Sequence, residues 1–243
     1  MTTFTQLGSF WKAFDTIDHE ILLQKLEMYG LRGIAQAWFK SYLSNRYQFV
    51  QYNDHNSSQK KNVCGVPQGS ILGPLLFLKY INDLPAVSKH IFCLMFADDT
   101  NGFNQGKSPQ EMQHVINEES CNISVWLKVN KLSLNIDKTH FMLFCGKRRV
   151  DQNITVKIDG KDIQRVKHTK FLGVIIDEQL TWKEHICYIS KKVSRAIYIF
   201  SKVRSILNKI TLRNLYYTFY ISLSDILQPC LGECVPYLLT QTQ

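Results

Sequence analysis

Residues 90–100 read HIFCLMFADDT, and this stretch decides the fold. An apolar run from Ile91 to Ala97 ends on two adjacent carboxylates, Asp98 and Asp99. The run has the length of a strand and reads as a buried one. Asn101-Gly102 follows, a dipeptide favoured in tight hairpin turns. The spacing therefore predicts a hairpin whose tip displays Asp98 and Asp99. Two neighbouring carboxylates repel, and one of them must hold its proton more tightly unless a cation lies between them. Mg²⁺ takes hard oxygen ligands, commonly one or two carboxylates plus substrate phosphates. Asp-Asp before Asn-Gly is also ordinary turn composition, and the dipeptide alone does not separate the two readings.

Outward from this point the chain alternates helix and strand signals. Asp18 caps a helix over 19–29 that carries Leu22, Leu26 and Tyr29 on one face, and Gly30 stops it. A second helix fits 33–43 with Ile34, Trp38 and Tyr42 in register, and 47–52 reads as a strand that returns through a polar strand to Cys64. The loop from Gly65 becomes a helix near Gly73, since Pro74 is tolerated only in a first turn. Ser108-Pro109-Gln110-Glu111 starts a helix to about Asn130, with Met112, Val115, Ile116, Ile123, Trp126 and Leu127 inward. Strands are expected at 132–136, 140–144 and 168–177, with a hairpin around Asp159-Gly160. Thr181-Trp182-Lys183-Glu184 reads as a capping box opening a helix to Val203, with Ile186, Ile189, Val193, Ile197 and Phe200 inward, and a last helix fits 211–223. The character changes near 180 from mixed to all-helical, which suggests a domain boundary.

The chain has 243 residues, 45% of them hydrophobic, enough for one large or two small cores, and a formal net charge of +9. That balance suits a polyanionic partner such as nucleic acid, or an acidic membrane surface, and equally a solvated basic face. Seven scattered cysteines without a CxxC pair read as reduced thiols of an intracellular protein, and Cys230 and Cys234 are a weak CxxxC signal for zinc. No apolar run approaches a membrane span, and no secretory signal opens the chain.

Five blocks stand in a telling order: KAFDTIDHEILLQKL (12–26), GVPQGSILGPLLF (65–77), FADDT (96–100), WLKVNKLSLNIDKT (126–139) and KFLGVIID (170–177). Together they resemble successive motifs of the reverse transcriptase domain of non-LTR (LINE-type) retrotransposons, over roughly residues 12–220. The resemblance implies an α+β fold: a polymerase palm, with an antiparallel sheet covered on one face by helices, over residues 1–180, then a helical thumb-like region over 181–243. It implies RNA-directed DNA polymerisation by two-metal nucleotidyl transfer, with Mg²⁺ as the ion and Mn²⁺ as its alternative. The partners would be an RNA template, a DNA primer and deoxynucleotides, in the nucleus or cytoplasm. By residue, Asp98 and Asp99 match the catalytic, metal-binding pair. Phe14 matches the side chain that blocks a ribose 2′-OH, and Gln68 the contact to incoming nucleotide and template. Lys138 matches the lysine that protonates the leaving pyrophosphate, and Phe171, Leu172 and Gly173 match the primer grip. Lys191, Lys192 and Arg195 fall in the thumb. Each has a plainer reading, Phe14 and Phe171 as core and Lys138 as a solvated loop lysine.

The chain also departs from the family. The pattern D-x-x-K-A-F-D puts a metal-binding aspartate where this chain has Ser9. Residues 1–11 and 225–243 no longer follow the pattern, and the fingers are expected to be absent. These departures imply impaired catalysis, and leave open a non-catalytic nucleic-acid-binding remnant as the alternative.

Overall fold

The computed structural model describes residues 2–9, 13–144 and 154–221, with backbone alone for 2–9, 220 and 221. The expectations that fall on Lys12, Cys145, Cys230, Cys234 and residues 225–243 lie outside the described residues. The chain divides into two compact units, Met1–Arg165 and Val166–Gln243.

In the first unit, β1 (Thr2–Ser9) is followed by α1 (His19–Met28) and α2 (Ile34–Leu43). Four two-residue strands come next: β2 (Tyr47–Gln48), β3 (Gln51–Tyr52), β4 (His55–Asn56) and β5 (Lys60–Lys61). Then come α3 (Leu72–Ile81), β6 (Phe92–Phe96), β7 (Asp99–Gly106), α4 (Pro109–Val129), β8 (His140–Phe144), β9 (Val156–Ile158) and β10 (Lys161–Arg165). Six of these strands form one sheet in the order β6-β7-β1-β8-β10-β9. Every pairing in it is antiparallel except β8 with β10, where Gln164 and Arg165 lie beside His140 and Phe141.

The helices pack against the sheet and each other through two apolar clusters. One gathers Ile17, Leu22 and Leu26 with Leu76, Phe77, Tyr80 and Ile81 of α3 and Trp126 and Leu127 of α4, and Met95 of β6 packs on its edge. The other sets Met112 and Ile116 of α4 on Phe141, Leu143, Val156, Ile158 and Ile163. Caps follow the sequence: the Asp18 carboxylate accepts from the Glu20 and Ile21 amides, and the Ser108 hydroxyl from the Glu111 amide at 3.2 Å. This is the expected α+β architecture.

Several elements differ from expectation. Among the described residues the run 91–96 forms an edge strand rather than a buried one: β6 has a single neighbour there, and Phe92, Leu94 and Phe96 are exposed on one face. Residues 132–136 form no strand, because the Asn135 side chain caps a 3₁₀ turn over Ile136–Lys138. The intended inner face of α2 is open, with Ile34 92% exposed and Leu43 its buried residue. The 47–52 strand breaks into two short pairs.

The second unit holds a hairpin, β11 (His168–Phe171) and β12 (Val174–Asp177), then α5 (Lys183–Val203), α6 (Lys209–Tyr216) and a π-helical turn, Tyr217–Ile221. The expected single strand over 168–177 is thus folded back on itself at Leu172-Gly173. The cap of α5 is not the Thr181 box. Trp182 stands at the cap with φ 62°, and the Asp177 carboxylate accepts from the amides of Gln179, Thr181 and Trp182. Inside α5, His185, Ile189 and Ala196 are the buried residues, whereas Ile186 and Ile197 are exposed. No helix among the described residues is long and apolar enough to cross a membrane.

Candidate active site

The β6–β7 hairpin turns through Ala97 and Asp98, between paired Phe96 and Asp99. Ala97 carries the positive φ, 52°, that this tight reversal needs. Asn101-Gly102, the expected turn, instead lies within β7, where it pairs with both β6 and β1. The tip still presents the acids: Asp98 is half-buried and Asp99 exposed.

Antiparallel pairing then fixes what lies beside them. β1 runs next to β7 with Ser9 opposite Asp99 and Gly8 opposite Thr100. On its other side β1 meets β8, with Leu7 opposite His140. The 3₁₀ turn just before β8 delivers Lys138, whose positive charge reaches Asp99. Position 9, Asp99 and Lys138 are therefore brought together. Partial desolvation of the otherwise exposed carboxylate, and secondarily the neighbouring Asp98 charge, raises the Asp99 pKa above its ordinary value, with Lys138 opposing them. Among the described residues, no group of three or more His, Cys, Asp or Glu could hold a metal. The donor set here is two adjacent carboxylates with Lys138 as a neighbouring cation. It fits a hard divalent cation whose other ligands are water and substrate phosphate.

A second juxtaposition lies in the same unit. The segment 14–19 and the Cys64–Gln68 loop are sewn together by short contacts. The Val66 amide donates to Phe14 O at 2.9 Å and the Gly65 amide to Ile17 O at 2.8 Å. Gln68 Nε2 donates to Asp15 Oδ1 at 2.7 Å, and His19 Nε2 lies 2.7 Å from Gly65 O. Gly65 is required: it takes φ 83°, and a Cβ there would sit 2.8 Å from Asp15 O. Phe14 is half-buried, its ring 4.6 Å from that of Phe77, so it stands on the core as well as beside the loop. Phe14 is five positions from Ser9, a span of at most about 18 Å. Asp15, His19 and Gly65 were not singled out for this role by the sequence, since no local pattern announces a contact between positions 19 and 65.

The remaining candidates lie in the second unit. Leu172 (φ 45°) and Gly173 (φ 93°) form the tip of the β11–β12 hairpin, with Leu172 51% exposed. On α5 the Lys192 ammonium lies 4.7 Å from the centre of the Tyr188 ring, and Lys170 of β11 lies 5.6 Å from it. The Lys192 hydrogen bond, joined by the Lys170 charge, draws the Tyr188 phenol below its usual pKa.

A family model described as "Reverse transcriptase (RNA-dependent DNA polymerase)" matches residues 9–176. The chain is 28% identical over 186 residues to the "Probable RNA-directed DNA polymerase from transposon X-element" of Drosophila melanogaster, covering 75% of this chain and 20% of that protein. It is 27% identical over 230 residues to the "RNA-directed DNA polymerase from mobile element jockey" of the same species, covering 90% and 24%. It spans only about a fifth to a quarter of these relatives. Among solved structures, the Candida tropicalis telomerase in complex with a telomeric RNA fragment superposes over 100% of this chain and 40% of that one. The TM-score is 0.51 at 11% identity, a likeness of fold alone.

Proposed function

Because this chain belongs to the reverse transcriptase (RNA-dependent DNA polymerase) family, we propose that it is the RNA-directed DNA polymerase domain of a non-LTR retrotransposon. On this reading residues 1–180 are the palm and 181–243 a thumb-like region. The observation that carries the proposal is the register that sets position 9 opposite Asp99, with Lys138 alongside.

Asp98 and Asp99 are the residues that would hold divalent cations. When bound, such ions supply charge neutralisation for the attacking primer 3′-oxygen and the leaving pyrophosphate. The chain's own residues do the rest. The Gln68 amide, held by Asp15, orients the incoming deoxynucleotide against the template. The Phe14 ring, braced on Phe77, closes the space a ribose 2′-OH would need. Lys138 gives a proton to the departing pyrophosphate. The Phe171–Gly173 turn grips the primer, and the basic face of α5 follows the backbone.

Ser9 weakens this machinery. A carboxylate about 4 Å from a cationic charge contributes roughly 4 kcal/mol at an effective dielectric of ~20. That corresponds to about a thousandfold in occupancy or rate. Position 9 pairs directly with Asp99 in the β1–β7 ladder, so a carboxylate restored there would add to the acid pair at the hairpin tip. The test is primer extension on an RNA template with Mg²⁺ or Mn²⁺. The unaltered chain is expected near background, Ser9→Asp faster by up to about a thousandfold, and Asp98→Ala inactive in both backgrounds. Extension that survives Asp98→Ala would overturn the site. The serine at position 9 also favours a second reading, a nucleic-acid-binding relic without metal chemistry. Failure of Ser9→Asp to restore extension, with nucleic-acid binding intact, would select it.

A further inference from the structure

Between α2 and the Gly65–Gln68 loop the chain makes a thin hairpin with no core of its own. Tyr47 and Gln48 pair with Lys61 and Lys60, and Gln51 and Tyr52 with Asn56 and His55. Between these pairs the Ser57 amide donates to Val50 O, and the Val50 amide to Ser57 Oγ, each at 2.9 Å. Every residue from Ser44 to Lys61 is exposed. Two-stranded hairpins in water are marginal, and side chains that stabilise nothing at home need another reason to be apolar. Yet this one displays Tyr47, Phe49 and Tyr52, with Tyr52 76% exposed.

The rings stand among cations. Arg46, Lys60 and Lys61 stand on the hairpin against a single acid, Asp54. Among the described residues none of the three is ion-paired. Directly opposed residues share a face, so Tyr47 stands with Lys61, and Tyr52 with His55. Arg46 is fixed in advance. Its Nε donates to Tyr42 O at 3.0 Å, and its guanidinium lies 4.9 Å over the Tyr42 ring, which stacks on Trp38 at 5.4 Å. At the hairpin's foot a cavity of about 740 Å³ is lined by Arg46, Gln48 and Lys61 and also by Asp15 and Gln68. The basic-aromatic surface is thus continuous with the nucleotide-contacting position.

We propose that the 46–61 hairpin is a grip for single-stranded nucleic acid, bases stacking on Tyr47 and Tyr52 while Lys60, Lys61 and Arg46 meet the phosphates of the strand leading to Gln68. A lone strand offers open base faces to flat rings, whereas a duplex hides them, so the chemistry selects unpaired template. The proposal deepens the polymerase reading and rests on it for the direction of the strand.

The test is fluorescence anisotropy of the full chain in EDTA, across a KCl series. The probes are labelled oligouridylate and oligothymidylate about 20 nucleotides long, longer than one compact module covers, and an RNA–DNA hybrid of the same length. Tyr47→Ala with Tyr52→Ala is expected to weaken single-strand binding about tenfold or more and to leave the hybrid unchanged. Lys60→Ala with Lys61→Ala is expected to lower the salt slope by about 1.4, the contribution of two phosphate contacts to a single strand. A loss on RNA, on DNA or on both supports the grip and tells which strand it holds. Unchanged affinity and slope in both variants, or equal loss on the hybrid, overturns it. Because no divalent ion is present, the grip and the catalytic reading fail separately. If the unaltered chain binds none of the probes, the grip is overturned, while primer extension decides the catalytic reading. Unchanged thermal melting of these surface variants verifies that they are folded.

Discussion

The Asp177 carboxylate shows what one side chain does when the expected cap is not used. Burial opposes its charge, but the amides of Thr181, Trp182 and Gln179 and the Thr181 hydroxyl outweigh that and hold its pKa below the ordinary value. A depressed folded pKa adds stability that is present above the unfolded pKa, near 4, and fades as pH falls through the lower folded value. Asp177→Asn is therefore expected to destabilise by about 1–2 kcal/mol at pH 7, with the gap to the unaltered chain closing below about pH 4 in urea melts. Equal gaps at both pH values would contradict it. Gly65 gives a second residue-scale expectation. Gly65→Ala meets the Asp15 backbone as well as an unfavourable φ, whereas Gly69→Ala, at φ 78°, meets nothing within 4 Å. The first is expected to cost about 1 kcal/mol or more beyond the second, read as the difference in denaturation midpoints.

At the scale of elements, helices were legible where caps and apolar spacing agreed. Asp18 and Ser108 start α1 and α4 where the sequence puts them, because both signals are local. Strand segments such as 140–144 were legible from their apolar runs even though β8 pairs with distant β1, and pairings were legible where a turn joins near neighbours, as at Asp159-Gly160, whose φ values of 52° and 76° make the expected turn. Asn101-Gly102 misled because β1, some ninety positions away, claims that segment for a ladder. A ladder on two sides outweighs a local turn preference. The acids at 98 and 99 were legible as a hairpin tip, but their neighbour at position 9 was legible only through the family pattern. The edge position of β6 was not legible, since an apolar run has the same composition at an edge as in a centre. That edge carries an expectation. Phe92, Leu94 and Phe96 form an open apolar strip along backbone that no described strand pairs, a site for strand-to-strand association. Leu94→Lys is expected to lower concentration-dependent light scattering by severalfold while moving the melting midpoint by less than about 0.5 kcal/mol equivalent. Unchanged scattering would place association elsewhere.

For the whole molecule, the +9 charge is spread over a chain of two compact units, a balance that suits a polyanionic partner and equally a solvated basic face. The sequence revealed this charge but not its arrangement: the fully exposed 44–61 hairpin reads in one dimension like any strand pair, and only its lack of buried side chains singles it out. The central place of β1 has a further consequence, in time rather than space. Its ladder partners lie 90 to 104 positions away in β7 and 133 to 141 away in β8. Pairings this distant must close long loops before contacts reward them, and such topologies fold slowly. As a ribosome delivers the chain, β1 leaves the tunnel ahead of β7 and β8 and waits, without these partners, while the segments between them are made. Until β7 and β8 arrive, both its edges are open to a neighbouring nascent chain, so the strand that organises the finished sheet is also its longest exposure to misassembly.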